Sequence, residues 1–163
     1  ELGQRTETLA GVKYTNADLA DVQRCLELDH GRLDVLWGTD EALLAGWSFG
    51  CRGAVGSTYN FAARIYLRLI DAWNAGDVAA ANAAQRETVK IVTTLAKYGY
   101  LAASKRVMGL LGVDCGSVRP PLADVAPEQL DKLRQELDAM NFFQLVSAQA
   151  KEHVSVNGQS LMV

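Results

Sequence analysis

Short apolar runs and amphipathic stretches alternate through the first third of the chain. Leu9-Ala10-Gly11-Val12-Lys13 is apolar until its last residue. Asn16–Leu28 then reads as a helix, with Leu19, Val22 and Leu26 on one face and Thr15 or Asn16 available as N-cap. Leu33-Asp34-Val35-Leu36-Trp37 is a second short run, closed by Gly38. Thr39-Asp40-Glu41 opens a helix over Ala42–Phe49 that Gly50 ends, and Gly53-Ala54-Val55-Gly56 is a third run. This order of runs and helices predicts βαβ crossovers and a parallel sheet.

Beyond the third run the period is helical. Phe61, Ile65, Leu69 and Trp73 form one stripe over Asn60–Ala75, and Gly76 stops it. Asp77 caps a helix that runs to about Tyr98 through Val89, Ile91, Val92 and Leu95. Gly99 ends it, and Leu101–Leu111 forms another helix before Gly112. The Pro120-Pro121 pair makes Asp114–Ala126 a loop, and Pro127 suits the first position of a helix carrying Leu130, Leu133, Leu137 and Met140. After Gln144 the chain turns polar and loses its period, which predicts a loosely packed tail.

Three short parallel strands cannot close a sheet on themselves, and parallel sheets are normally covered on both faces. A whole (β/α)8 barrel takes about 250 residues, whereas the chain has 163. The expected fold is α/β: residues 1–76 could hold the last three βα units of a barrel, followed by a C-terminal helical extension over 77–143 and a polar tail over 144–163. The chain starts at Glu1 and enters a strand within a few residues, as a chain does when something upstream has been removed. With 16 basic against 19 acidic residues, net -3, there is no basic footprint for nucleic acid or a membrane surface. No apolar run approaches a membrane span, and no secretory leader is expected in the polar opening residues. Cys25, Cys51 and Cys115 are odd in number and lack metal-ligand spacing, as are His30 and His153. Free thiols and a cytoplasmic location are expected, with no metal site.

Three places carry candidate chemistry. Lys13 ends an apolar run, where burial would lower its basicity and expose a neutral amine for Schiff-base formation on a carbonyl. By itself the position also suits a lysine snorkelling from a strand end, although the other five lysines lie on predicted helices or in the tail. Asp40 and Glu41 complement the positive end of the helix they open, or accept hydrogen bonds from a polyhydroxylated substrate. Gly56-Ser57-Thr58-Tyr59-Asn60 supplies a helix cap, or a hydroxyl-rich turn facing an active site; it lacks the lysine and glycine spacing of a phosphate loop. Each place follows the C-terminal end of a predicted strand. Parallel strands bring those ends to one face, where barrel enzymes carry their active sites.

At these residues the chain resembles the N-acetylneuraminate lyase and dihydrodipicolinate synthase superfamily, and its sialic acid lyase branch in particular. The resemblance rests on Gly11-Val12-Lys13-Tyr14-Thr15, Gly38-Thr39-Asp40-Glu41 and Gly56-Ser57-Thr58-Tyr59-Asn60, in that order, and continues to about Phe143. It implies a (β/α)8 barrel with a helical extension, commonly a homotetramer. It also implies a class I aldolase, needing neither metal nor cofactor, that cleaves N-acetylneuraminate to N-acetylmannosamine and pyruvate. Lys13 matches the Schiff-base lysine. Thr15, Gly38, Asp40, Glu41 and Ser57 match positions that hold the sugar-acid chain, and Val55 lends a backbone group.

One departure is large. The family's earlier strands carry a Gly-Thr/Ser turn ending in Gly-Glu for the pyruvate carboxylate, and a tyrosine that shuttles the proton; neither occurs here. The expectation is that this chain is the lysine-bearing half of the enzyme and needs the N-terminal part of the same barrel for activity. Another 2-keto-3-deoxy sugar acid as substrate, or a non-catalytic βα scaffold, are the competing readings.

Overall fold

Strands β1 (Gly11–Tyr14), β2 (Asp34–Trp37) and β3 (Gly53–Ala54) run parallel in the order β1-β2-β3. The computed structural model describes residues 6, 8–147, 155–156 and 159–160. Lys13 pairs with Leu36 and Tyr14 with Trp37, while Leu36 pairs with Gly53 and Trp37 with Ala54. Side chains alternate across a strand, so Tyr14, Val35 and Trp37 turn together toward the helices and are buried. Lys13 and Leu36 occupy the opposite face. Val12 shares the helix-side face with Val35 but is 46% exposed, because β1 is the outer strand of the sheet.

Helix α1 (Leu19–Glu27) links β1 to β2, and α2 (Leu43–Ser48) links β2 to β3. The cap of α1 is Asp18, whose carboxylate accepts the Asp21 N–H at 3.0 Å; neither Thr15 nor Asn16 fills that role. Thr15 is drawn instead toward Gly38, its hydroxyl 3.5 Å from the Gly38 carbonyl, and Asn16 accepts the Asp18 N–H. The helix consequently starts later than its apolar pattern suggests. Asp40–Ala42 is a 3-10 turn leading into α2, and Gly50 leaves α2 at φ 105°.

Five helices follow: α3 (Tyr59–Asn74), α4 (Val78–Lys97), α5 (Tyr100–Leu110), α6 (Pro127–Ala139) and α7 (Phe142–Ser147). Phe61, Ile65 and Leu69 of α3 are buried, as are Ile91, Val92 and Leu95 of α4, whereas Val89 faces outward. Asp77 caps α4, accepting the Ala80 N–H at 2.9 Å. Lys97 and Tyr98 both donate to Glu136, tying α6 to the end of α4. The apolar core runs without a break from Tyr14 and Trp37 in the sheet to Phe142 in α7. The βα units and the C-terminal helices thus share one interior.

The tail differs from its expected course. Gln144–Ser147 belong to α7, which begins after Asn141 turns the chain at φ 57° and which buries Phe142 completely. Ser155–Val156 (β4) and Gln159–Ser160 (β5) pair antiparallel, and the other tail residues, His153 among them, lie outside the described ones. Among the described residues no helix is long and apolar enough to cross a membrane.

Candidate functional site

The C-terminal ends of the three strands lie side by side, and their backbone bonds continue past the last paired residues. The Gly38 N–H donates to the Tyr14 carbonyl at 2.8 Å, and the Val55 N–H to the Trp37 carbonyl at 2.8 Å. This continuation brings Lys13, Thr15 and Gly38 into contact. A methyl group on Gly38 would lie 2.0 Å from Thr15 Oγ1 and 2.8 Å from Lys13 Cε. Any larger residue at that position would have to displace both side chains.

Lys13 is exposed, not buried as its apolar run suggests. The run describes the helix-side face, and Lys13 stands on the other one. Val55 is also exposed, at 43%, and Thr15 and Glu41 are open to solvent. An amine, a hydroxyl and a carboxylate are therefore accessible at one end of the sheet. A hollow lined by Glu27, Asp34, Phe49 and Arg52 lies at the other end of β2, away from Lys13.

The two neighbouring carboxylates separate. Glu41 faces water, whereas Asp40 is only 4% exposed and its partners are internal. Asp40 Oδ2 accepts the Thr58 N–H at 3.0 Å, the Thr58 hydroxyl at 2.5 Å and the Tyr100 hydroxyl at 3.4 Å. Its Oδ1 is backed by Gly56, where an added methyl would sit 1.5 Å away. Asp40 thus serves as the anion at the start of α3, whose own cap residue, Thr58, makes no side-chain cap. Of the two expected substrate-facing carboxylates, Glu41 is open to solvent and Asp40 is turned inward onto Thr58 and Tyr100.

Ser57 is half-buried and donates from Oγ to the Tyr100 hydroxyl at 2.9 Å. Tyr66 and Thr58 hydroxyls are 2.6 Å apart, and the Tyr59 ring meets Tyr66 edge-on with centroids 4.4 Å apart. Burial pushes the ionisation of Tyr59, Tyr66 and Tyr100 above the ordinary tyrosine value, with the negative charge of Asp40 adding to it. All three phenols are neutral near neutral pH, and the Tyr66 and Tyr100 hydroxyls are hydrogen-bonded within the cluster.

Sequence reading missed Tyr66, Tyr100 and Gln85. Gln85 of α4 accepts the Leu44 N–H at 2.7 Å, satisfying the first turn of α2 beside the Asp40–Glu41 turn. Tyr100 had one legible signal, its place at the start of a helix just after Gly99. The other two sit within amphipathic helices and carry none.

Residues 1–140 match the dihydrodipicolinate synthetase family. The chain belongs to that family. It is 32% identical to the N-acetylneuraminate lyase of Mus musculus over 148 residues, covering 89% of this chain and 46% of the mouse protein. The structure is similar to that of Proteus mirabilis N-acetylneuraminate lyase, with TM-score 0.82 and 38% identity over 86% of this chain and 48% of that one. The Aliivibrio salmonicida N-acetylneuraminate lyase (sialic acid aldolase) gives TM-score 0.81 at 35% identity, over 85% and 46% respectively. This member of the family spans about half the length of the curated relatives it matches.

Proposed function

We propose that the chain forms the lysine-bearing side of a class I aldolase site that cleaves N-acetylneuraminate to N-acetylmannosamine and pyruvate. The observation that carries this reading is the accessible Lys13 amine at the C-terminal end of β1, packed with Thr15 around a glycine that leaves room for both. In the proposed reaction Lys13 Nζ attacks the keto carbon of the substrate and water leaves, giving a protonated imine. The imine withdraws the electron pair of the breaking carbon–carbon bond as the neighbouring hydroxyl loses its proton, which releases the aldehyde sugar. The resulting enamine takes a proton on carbon, and hydrolysis returns pyruvate and the free amine.

Thr15, Gly38, Glu41, Ser57 and the Val55 backbone hold the sugar-acid chain in this reading, and Asp40 holds the turn that presents them. The missing carboxylate grip and proton shuttle come from the N-terminal part of the same barrel. That part also covers the exposed side of β1, where Val12 and Lys13 lie open. The chain alone is expected to turn over no substrate. A homotetramer is the proposed assembly.

Borohydride reduction with pyruvate, on the chain combined with its N-terminal part, tests the reading. A pyruvate adduct is expected on the peptide containing Lys13, and Lys13→Arg should abolish it without loss of fold. Absence of any adduct supports the non-catalytic scaffold instead. A second substrate, another 2-keto-3-deoxy sugar acid, gains weight from the inward turn of Asp40, which leaves Glu41 as the accessible carboxylate. Cleavage rates on N-acetylneuraminate and 2-keto-3-deoxygluconate distinguish the two.

A further inference from the structure

Ser57, Tyr100 and Asp40 form a sequence of hydrogen bonds whose direction follows from the protons each group holds. An ionised carboxylate only accepts, whereas a serine or tyrosine hydroxyl has one proton and free lone pairs. The single proton of Tyr100 points at Asp40 Oδ2, 3.4 Å away. Its oxygen is then left to accept, which it does from Ser57 Oγ at 2.9 Å. Reversing that bond would set the lone pairs of the phenol against the carboxylate. The same reasoning orients the neighbouring pair: the Thr58 proton lies on Asp40, so Tyr66 donates to Thr58. Every hydroxyl bonded in this cluster therefore sends its proton toward Asp40.

We infer that Asp40 and Tyr100 are positioning residues that fix Ser57 as a hydrogen-bond acceptor, so that the site selects a neutral, donor-bearing substrate tail over a phosphorylated one. The inference rests on the reading, proposed above, that Ser57 and Glu41 hold the sugar-acid chain. With the Ser57 proton directed inward, both groups offer lone pairs, since an ionised Glu41 is also acceptor-only. Sugar hydroxyls and an amide N–H donate to such a surface. A phosphate monoester brings negative charge and acceptor oxygens, and meets its own kind. The start of α3, whose backbone N–H groups would otherwise attract an anion, already has Asp40 on the Thr58 N–H.

The direction of the Ser57–Tyr100 bond is measurable in the full chain carrying tyrosine labelled with 13C at the ring carbon that bears the hydroxyl. That carbon moves downfield when its hydroxyl donates and upfield when it accepts. Ser57→Ala removes the bond Tyr100 accepts, so the Tyr100 signal, assigned by its loss in Tyr100→Phe, is expected to move downfield. An upfield shift, or none, overturns the inference. The specificity arm titrates N-acetylmannosamine and N-acetylmannosamine 6-phosphate into the chain combined with its N-terminal part. The phosphate is expected to bind at least about tenfold more weakly, with the difference reduced in Tyr100→Phe, where the serine proton is free to turn outward. Equal binding of the two sugars overturns the inference. Binding of neither overturns the sugar-acid reading of the site, and the tyrosine signals then decide the bond direction independently.

Discussion

Gly38 lies so close to Lys13 that a methyl group on its α-carbon would come within 2.8 Å of the lysine Cε and 2.0 Å of Thr15 Oγ1. Register sets this proximity. Tyr14 pairs with Trp37, so Gly38 and Thr15 are the next residues on their strands and emerge together.

Gly38→Ala is accordingly expected to push both side chains aside without disturbing the sheet. Displacing a reacting group by about an ångström costs on the order of 10²-fold in rate, and pyruvate trapping on Lys13 should fall by that order. Far-UV circular dichroism should stay unchanged. Trapping at the unaltered rate would show that Lys13 does not depend on the space beside Gly38.

Gly56→Ala tests the other close approach. The new methyl would overlap Asp40 Oδ1, and the carboxylate has no direction in which to yield, because Thr58 and Tyr100 hold its other oxygen. Overpacking of this kind costs about 1–3 kcal/mol, read as a lower urea midpoint. Gly109→Ala is the control. Nothing lies within 4 Å of its added methyl, and in the last turn of α5 the change should stabilise, by less than the roughly 0.5–1 kcal/mol of a helix interior.

Much of the helical layout was legible because glycines mark where helices stop. Gly50, Gly76, Gly99 and Gly112 all adopt positive φ at such ends. The three strand ends were legible for a related reason, since each short apolar run breaks at a residue with special chemistry. The inward turn of Asp40 was not. An acidic residue opening a helical turn reads the same whether it faces water or caps a different helix, and its partners Thr58 and Tyr100 lie far along the chain. The exposure of Lys13 was hidden as well, because an apolar run does not say which face of its strand is covered. Asn141 concealed α7: its left-handed turn resembles the end of helical structure, yet Phe142 follows directly into the core.

The Tyr59 hydroxyl is buried without a hydrogen-bond partner among the described residues, while its neighbour Tyr66 is bonded to Thr58. Burial raises the ionisation of both phenols. A group whose pKa is raised by folding contributes stability that is complete below its unfolded value and lost as pH climbs through the folded one. Stability should therefore not change on their account up to about pH 10, and should fall above it. Tyr59→Phe removes an unsatisfied group and one source of the alkaline fall. It is expected to stabilise by about 1 kcal/mol near neutral pH and to flatten the decline above about pH 10. Tyr66→Phe should flatten the decline too, but at a loss of about 1 kcal/mol near neutral pH. Urea midpoints across that range separate the two.

Gln85 caps a helix to which it does not belong. The Leu44 N–H is in the first turn of α2, where no intrahelical acceptor is available, and α2 has no side-chain cap of its own. Gln85 Oε1 accepts that proton at 2.7 Å, while its Nε2 donates to Thr88 Oγ1 at 2.5 Å and approaches the Asp40 carbonyl at 3.5 Å. The helical extension thereby holds the turn that carries Glu41. Gln85→Ala leaves the Leu44 N–H unpaired and should cost about 1–2 kcal/mol. Amide exchange at Leu44 should quicken by about tenfold or more, following the same free energy. Gln85→Glu keeps the acceptor but loses both donor contacts and adds negative charge beside Asp40 and Glu41. It should preserve protection at Leu44 while still lowering the urea midpoint. Unchanged Leu44 exchange in Gln85→Ala would mean that the turn bearing Glu41 is held by its own strand and not by the extension.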